Sequence, residues 1–205
     1  MIEFKNVSYT YFSKFYTLFG FNYKFNAGNY ALIGEDIGGP LTLIRILAKL
    51  DTWYKGQILI NDVSLKKVNY KNNFSVAYIS ASPRFFNNKT VLENIIYPLK
   101  SRRIGKVERS NIALVTLANW GWKDKADIKV KNLTSQERII LALIRASVRK
   151  LDLLLCENIF DTISVKVLDN ISATTKIVVS NDVNDFKGYT SLLFNLGNME
   201  SKKQG

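Results

Sequence analysis

The sequence predicts an α/β fold in which strands and helices alternate to build a parallel sheet. One observation is the order strand, glycine-rich loop, helix and strand between residues 30 and 80, because this order indicates parallel strands joined by crossovers. The other is the block from residue 91 to 150, where apolar residues recur with helical spacing. At 205 residues and 47% apolar side chains, the chain is long enough for one sizeable domain with a core.

The first 33 residues predict a β-rich start of the domain. Residues 2–11 and 17–25 alternate aromatic with polar side chains, and a turn at residues 26–29 separates them from the apolar run 30–33. This segment has no continuous apolar stretch and no small-residue cleavage site, so a signal peptide is not expected.

The later elements follow from run length and periodicity. The predicted strands are residues 56–62, 74–80, 151–157, 175–182 and 190–196. The predicted helices follow the glycine-rich loop and occupy residues 91–99, 107–122 and 136–150. The sequence contains no internal repeat and no low-complexity linker.

The chain is basic, with a formal net charge of +12 from 29 basic and 17 acidic residues. A module that binds nucleic acid or an anionic membrane face is therefore one hypothesis. Apart from residues 101–109 and 201–205 the basic side chains are dispersed, so nucleic acid is not expected as a partner. No run approaches the roughly 18 to 20 apolar residues of a membrane span. The one cysteine, Cys156, lies in an apolar run, which predicts a buried thiol in a reducing, cytoplasmic compartment.

The stretch ALIGEDIGGPLTLIRIL, residues 31–47, has the outline of a phosphate-binding loop of the G-x-x-x-x-G-K-S/T type. Such a loop presents backbone N–H groups and a helix amino terminus to phosphates, with a lysine on the outer phosphates and a hydroxyl on Mg²⁺. Pro40 occupies the lysine position and Leu41 the hydroxyl position. The candidate nucleotide-binding residues of this segment are Gly34, Gly38, Gly39 and Thr42.

Proline suits the first turn of a helix, so the geometry of strand, loop and helix is expected to survive at Pro40. What the substitutions remove is an ammonium, a backbone donor and a magnesium ligand. A hydrogen bond to a charged group contributes roughly 1.5 to 3 kcal/mol, so tight triphosphate binding by the usual route is not expected. ATP is expected to bind weakly, and neither Mg²⁺ nor another metal is expected as a cofactor.

Six later segments follow this loop along the chain: VAYIS, FFNNKTVLENI, WGWKDKAD, LTSQE, KLDLLLCENIF and KIVVSND. In this order and spacing the chain resembles, over almost its whole length, the nucleotide-binding subunit of ATP-binding cassette (ABC) transporters. The resemblance implies a P-loop NTPase (RecA-like) core with an N-terminal antiparallel β-subdomain. It further implies one domain over residues 1–205, with an inserted α-helical subdomain at residues 91–147.

The resemblance also implies that several working residues of the family are substituted in this chain. The glutamine that senses magnesium and couples to the membrane partner falls on Ala81, and the switch histidine falls on Asn181. The aspartate that supports magnesium falls on Cys156. Two features are kept, because Glu157 lies at the position of the general base and Tyr11 near that of the aromatic residue that stacks on adenine.

The family's signature motif, L-S-G-G-Q or L-S-G-G-E, has lost both glycines here. Its remnant is Leu133, Thr134, Ser135, Gln136 and Glu137. Thr134 and Glu137 match the capping box that opens a helix, and this is the interpretation we favour. The resemblance leaves a second possibility, in which the Thr134 hydroxyl contacts a phosphate held by the partner subunit of a two-fold dimer.

Several aromatic side chains accompany the helical block, and two interpretations compete for them. They are Phe85, Phe86, Tyr97, Trp120 and Trp122. A stacking platform for bases is one interpretation, and helix packing is the one we favour. In the family, the surface around the glutamine position grips a coupling helix of the membrane protein, and Ala81, Phe85 and Phe86 fall on it.

Two functions of different classes follow from the resemblance. In the first, the chain is a structural or regulatory partner in a transporter complex with weak or no ATP hydrolysis. In the alternative, it binds and hydrolyses ATP with Glu157 as the base. Both imply a membrane permease as partner, a homodimer or a heterodimer with a consensus ABC ATPase, and a peripheral place at the inner face of the cell membrane.

Overall fold

A computed structural model of the chain describes residues 1–10, 17–34, 37–70, 72–100, 104–161, 163–182 and 186–194. Within these ranges the strands are β1 Ile2–Tyr9, β2 Leu18–Phe25, β3 Gly28–Ile33, β4 Lys55–Ile60, β5 Val63–Ser64, β6 Val76–Ile79, β7 Leu151–Cys156, β8 Ala173–Ser180 and β9 Thr190–Leu193. The helices are α1 Gly38–Leu47, α2 Val91–Lys100, α3 Lys106–Asn119 and α4 Ser135–Ser147. None of the helices in the described ranges has the length and apolar composition needed to cross a bilayer.

The strands form two sheets of different character. The first is antiparallel, in the order β2-β1-β4-β5, and it confirms the predicted antiparallel β-subdomain. The second has the order β6-β7-β8-β3-β9, with β3 parallel to β8 and β9 and with β7 parallel to β8. Parallel pairing places the carboxyl ends of these strands at one edge, where ligands of α/β proteins usually bind.

The chain divides into two compact units. The first comprises Met1–Tyr78, Leu151–Phe160 and Ala173–Gly205, and the second comprises Ile79–Lys150 and Asp161–Ser172. Each unit contains a hydrophobic cluster of its own. The predicted helical insertion at residues 91–147 lies wholly within the second unit, and its exact bounds stay a prediction.

Helix α1 is held in the first unit by an apolar face. Leu43, Ile44, Ile46 and Leu47 have no exposed surface and belong to the same cluster as Leu32 of β3. At roughly 1.5 to 3 kcal/mol for each fully buried aliphatic side chain, this face is a large stabilising contribution. The start of α1 is therefore fixed by packing.

Helix α3 ends earlier than predicted. The helical spacing predicts a helix as far as Trp122, whereas α3 ends at Asn119. Gly121 has φ +66°, a left-handed conformation that closes the helix, and its N–H donates to the Ala118 carbonyl at 3.0 Å. The short strand β5 was not predicted, because two residues are too few to show a period.

Gly56 opens β4 in a conformation that only glycine adopts without strain. Its φ is +87°, and a Cβ at this position would lie 2.2 Å from the Asn6 carbonyl oxygen of β1. The close approach allows β4 to pair with β1 beside the irregularity between Lys5 and Ser8. The antiparallel sheet thus depends on a residue without a side chain here.

We expect Gly56→Ala to lower the free energy of unfolding by about 1 to 3 kcal/mol from backbone strain alone, and by more through the clash with Asn6. Urea unfolding followed by circular dichroism measures the change. Gly105→Ala is the matched control, because Gly105 has φ −59° and a Cβ there would meet nothing within 4 Å. Equal free energies of unfolding for Gly56→Ala and Gly105→Ala would contradict the strain that we assign to a side chain at position 56.

Candidate functional site

The phosphate-loop segment, residues 34–42, lies between β3 and α1. Gly34 directly follows β3 and is buried, and α1 begins with Gly38 and Gly39. Residues 35 and 36 lie outside the described residues. The predicted succession of strand, loop and helix is therefore confirmed, and it places a helix amino terminus at the carboxyl edge of the parallel sheet.

Pro40 is the third residue of α1, and its ring is buried. The first N–H groups of a helix have no partner within the helix, so the donor that proline lacks does not weaken α1. Leu41 donates its N–H to the Ile37 carbonyl at 2.8 Å. At Pro40 and Leu41 the segment offers neither an ammonium nor a hydroxyl.

Thr42 has no exposed surface, and its hydroxyl donates to the Gly38 carbonyl at 2.7 Å. This hydroxyl is thus bonded back into its own helix. Gly39 packs closely, because a Cβ there would lie 3.2 Å from the Thr17 carbonyl oxygen. The predicted roles of Gly34, Gly38, Gly39 and Thr42 toward a nucleotide stay predictions. The donors that the described residues of this segment offer are backbone N–H groups, which suit an anion.

Cys156 ends β7 and is fully buried, as the sequence predicts. Burial raises the pKa of the Cys156 thiol well above its usual range, while the nearby Lys176 ammonium acts in the opposite direction. A neutral thiol is a poor ligand for a hard cation. Among the described residues, no group of three or more histidine, cysteine, aspartate or glutamate side chains could hold a metal ion.

Glu157 follows β7 and is partly buried. Its Oε1 accepts a hydrogen bond from the Tyr78 hydroxyl of β6. Burial raises the pKa of the Tyr78 phenol, the hydrogen bond to Glu157 raises it further, and the Arg45 guanidinium of α1 lowers it. Asn181, at the position of the switch histidine, is exposed directly after β8.

The signature remnant, in the second unit, forms a helix start. The Thr134 hydroxyl accepts from the Glu137 N–H at 3.2 Å, and the Glu137 carboxylate accepts from the Thr134 N–H at 2.8 Å. The predicted capping box is therefore confirmed. The Lys125 ammonium, which bonds to Glu137, is the main cause that lowers the pKa of this carboxyl. Leu133 is buried, while Ser135 and Gln136 are exposed.

The aromatic side chains of the second unit divide into two groups. Trp122 belongs to the hydrophobic cluster of the second unit, and Phe85 and Trp120 pack against it, which confirms the helix-packing interpretation for these three. Phe86 and Tyr97 are 50% and 56% exposed, and their ring centroids are 4.6 Å apart. We call these two residues the exposed aromatic pair. Ala81 is exposed as well. Tyr11 lies outside the described residues.

Sequence reasoning missed Tyr78, Arg45 and Asn94. Tyr78 was detectable, because the strand 74–80 was predicted and the carboxyl ends of parallel strands meet at one edge. Arg45 carries no signal in the sequence, and only its interaction with Tyr78 reveals its connection to Glu157. Asn94 is a buried polar residue in α2, and helical periodicity predicts only an inward position for it.

Comparison with known proteins identifies the family. A family model described as ABC transporter matches residues 18–160. The methionine import ATP-binding protein MetN of Clostridioides difficile is 27% identical over 94% of this chain, and MetN of Chlamydia pneumoniae is 31% identical over 69% of it. The chain spans 60% and 44% of the length of these two relatives.

Solved structures support the fold. A dimeric bacterial ABC transporter cassette superposes with a TM-score of 0.84 and 21% identity over the whole of both chains. The cbiO1 protein of Clostridium perfringens, part of an ABC transporter complex, superposes with a TM-score of 0.75 and 14% identity over 94% of this chain and 83% of its own. The predicted P-loop NTPase fold, with its antiparallel β-subdomain, is confirmed.

We expect the Cys156 thiol to react with a disulfide reagent at pH 8 at least roughly 100-fold more slowly in the native chain than in the unfolded chain. The reason is that the buried thiol stays neutral until the strand end opens. Absorbance of the released thiolate measures the rate. Asn111→Cys is the control, since this exposed position of α3 should react fast. Rapid modification of Cys156 in the native wild-type chain would contradict the burial of this thiol at the end of β7.

Proposed function

The chain belongs to the ABC transporter family, and on this premise we propose that it serves a transporter complex as a structural or regulatory subunit with weak or no ATP hydrolysis. In this proposal it dimerises with a second copy or with a consensus ABC ATPase. A membrane permease holds it at the cytoplasmic face of the cell membrane.

The observation that carries the proposal is the start of α1. The helix amino terminus is present at the sheet edge, but Pro40 is buried in the lysine position and the Thr42 hydroxyl is bonded to the Gly38 carbonyl. Among the described residues of the segment, an anion would meet the helix dipole and backbone N–H groups. Each missing charge-assisted hydrogen bond corresponds to about tenfold or more in affinity. The residues therefore do not fit Mg-ATP in the usual manner.

We expect ATP to bind weakly and with the same affinity with and without Mg²⁺. The double variant Pro40→Lys/Leu41→Ser should bind ATP at least roughly tenfold more tightly and gain a dependence on Mg²⁺, because it restores the ammonium and the hydroxyl. Isothermal titration calorimetry measures both quantities.

The control for the added charge is Leu50→Lys, which places a lysine at an exposed position just after α1 and should change nothing. A metal-dependent turnover of about 1 per second or more by the unmodified chain would contradict the proposal.

The exposed aromatic pair is the proposed contact with the permease. Apolar aromatic side chains at the surface are typical anchors of protein interfaces, and docking needs shape and apolar area rather than catalytic groups. The pair lies next to the position at which the family contacts its membrane partner. The partner segment is expected to be a helix with an apolar face.

The buried Asn94 and the partly buried Arg145 brace this surface from within the second unit. Asn94, 1% exposed, accepts from the Phe86 N–H at 3.0 Å and donates to the Phe86 carbonyl at 3.2 Å. The Arg145 guanidinium lies 4.4 Å from the Phe85 ring centroid and donates to the Arg84 carbonyl at 3.2 Å. The backbone that carries Phe86 is thus fixed before any partner binds, which lowers the entropy lost on binding.

We expect Phe86→Ala/Tyr97→Ala to weaken binding to the permease by at least about 2 kcal/mol, or roughly 30-fold, as for the central residues of interfaces. The measurement is the affinity for a membrane permease that co-purifies with the wild-type chain in detergent. Trp53→Ala is the matched control, because Trp53 is a 90% exposed aromatic residue of the first unit. Unchanged affinity in the double variant, or an equal loss in the control, would exclude this surface.

An ATP-hydrolysing subunit is the second candidate function, and one observation favours it. Glu157 stands directly after β7, at the position of the family's general base, and it is not withdrawn into the core. A base acts only when it can accept a proton from the attacking water. This candidate function therefore depends on whether the Glu157 carboxylate is available to accept that proton.

A further inference from the structure

The Glu157 carboxylate is already engaged within the first unit. Tyr78 lies in the strand β6 beside β7, and its hydroxyl donates a hydrogen bond to Glu157 Oε1. The phenol is half buried, and burial together with the carboxylate raises the pKa of Tyr78. The phenol therefore keeps its proton over the physiological range and remains the donor in this contact.

Arg45 connects this pair to helix α1. Its guanidinium lies within hydrogen-bonding reach of the Tyr78 phenol. On its other side it forms a two-pronged ion pair with Asp51, with Nε to Oδ2 at 2.8 Å and Nη2 to Oδ1 at 3.3 Å. A paired guanidinium is rigid, so it fixes the phenol in place.

The four groups form one continuous chain, from Asp51 through Arg45 and Tyr78 to Glu157. It joins the helix that follows the phosphate-loop segment to the strand that carries the candidate base. Hydrogen-bonded chains of this kind hold their members in one geometry. In such a chain the Tyr78 hydroxyl occupies one lone pair of Glu157 Oε1, so that lone pair can accept a proton from water only after the phenol has moved away.

We propose that Tyr78 is a positioning residue that latches Glu157 Oε1 as a structural acceptor and so hinders this carboxylate from serving as a general base. This inference rests on the proposed function. It adds a second reason for weak ATP hydrolysis, separate from the missing lysine. Arg45 holds the latch closed from α1.

The test measures how available the Glu157 carboxylate is in the nucleotide-free chain. Coupling to glycinamide with a water-soluble carbodiimide, read by peptide mass spectrometry, reports the rate at each carboxylate. Tyr78→Phe removes only the donor, and we expect Glu157 to be labelled roughly tenfold faster in this variant. The exposed Glu93 gives the internal reference rate, since it should not change.

Tyr70→Phe is the matched control. Tyr70 is another partly buried tyrosine of the first unit, but its hydroxyl donates to the Leu47 carbonyl and does not reach Glu157. This variant should leave the labelling of Glu157 unchanged. Equal labelling rates at Glu157 in the wild-type chain and in Tyr78→Phe would overturn the latch.

A second measurement keeps the proposal falsifiable if Tyr78→Phe does not fold. In a chain with ring-labelled tyrosine, carbon NMR follows the ionisation of Tyr78, and Glu157→Gln should let the phenol ionise at lower pH because the anion is removed. An unchanged ionisation of Tyr78 in Glu157→Gln would overturn the latch. Neither measurement involves nucleotide. A negative result here would overturn the latch alone, whereas tight Mg-ATP binding would contradict the proposed function.

Discussion

The burial of one face of α1 is the contact on which the rest of the first unit depends. Leu43, Ile44, Ile46 and Leu47 fill the space against the strands, and none of them bears on chemistry. Because this face is apolar and fully packed, it holds α1 against the strands of the first unit. The apolar contacts that shape this segment are therefore separate from the charged groups that a nucleotide site needs.

The same separation between shape and chemistry is seen in the signature remnant. Thr134 and Glu137 bond to each other's backbone N–H groups, and Lys125 adds a charge to the pair. These bonds satisfy donors that every helix start leaves open, so they are useful without a nucleotide. The segment without the two glycines thus has a structural role of its own at the start of α4.

Much of the fold was predictable because its signals are local. The strand at 151–157, the helix start at Thr134 and the glycine-rich turn before α1 are each set by neighbouring residues, and all three are observed. The chain of contacts that ends at Glu157 was not predictable, because Arg45 and Tyr78 meet through tertiary packing. Asn94 shows the same limit, since its partners at Phe86 are set by the path of a loop.

Pro40 has a consequence that reaches the unfolded chain. A proline narrows the backbone conformations open to a disordered polypeptide, and where the native φ suits it the folded state gains about 0.4 to 1 kcal/mol. The first turn of α1 is such a place. The proline that stands in the lysine position therefore also stabilises the folded chain, by restricting the unfolded one.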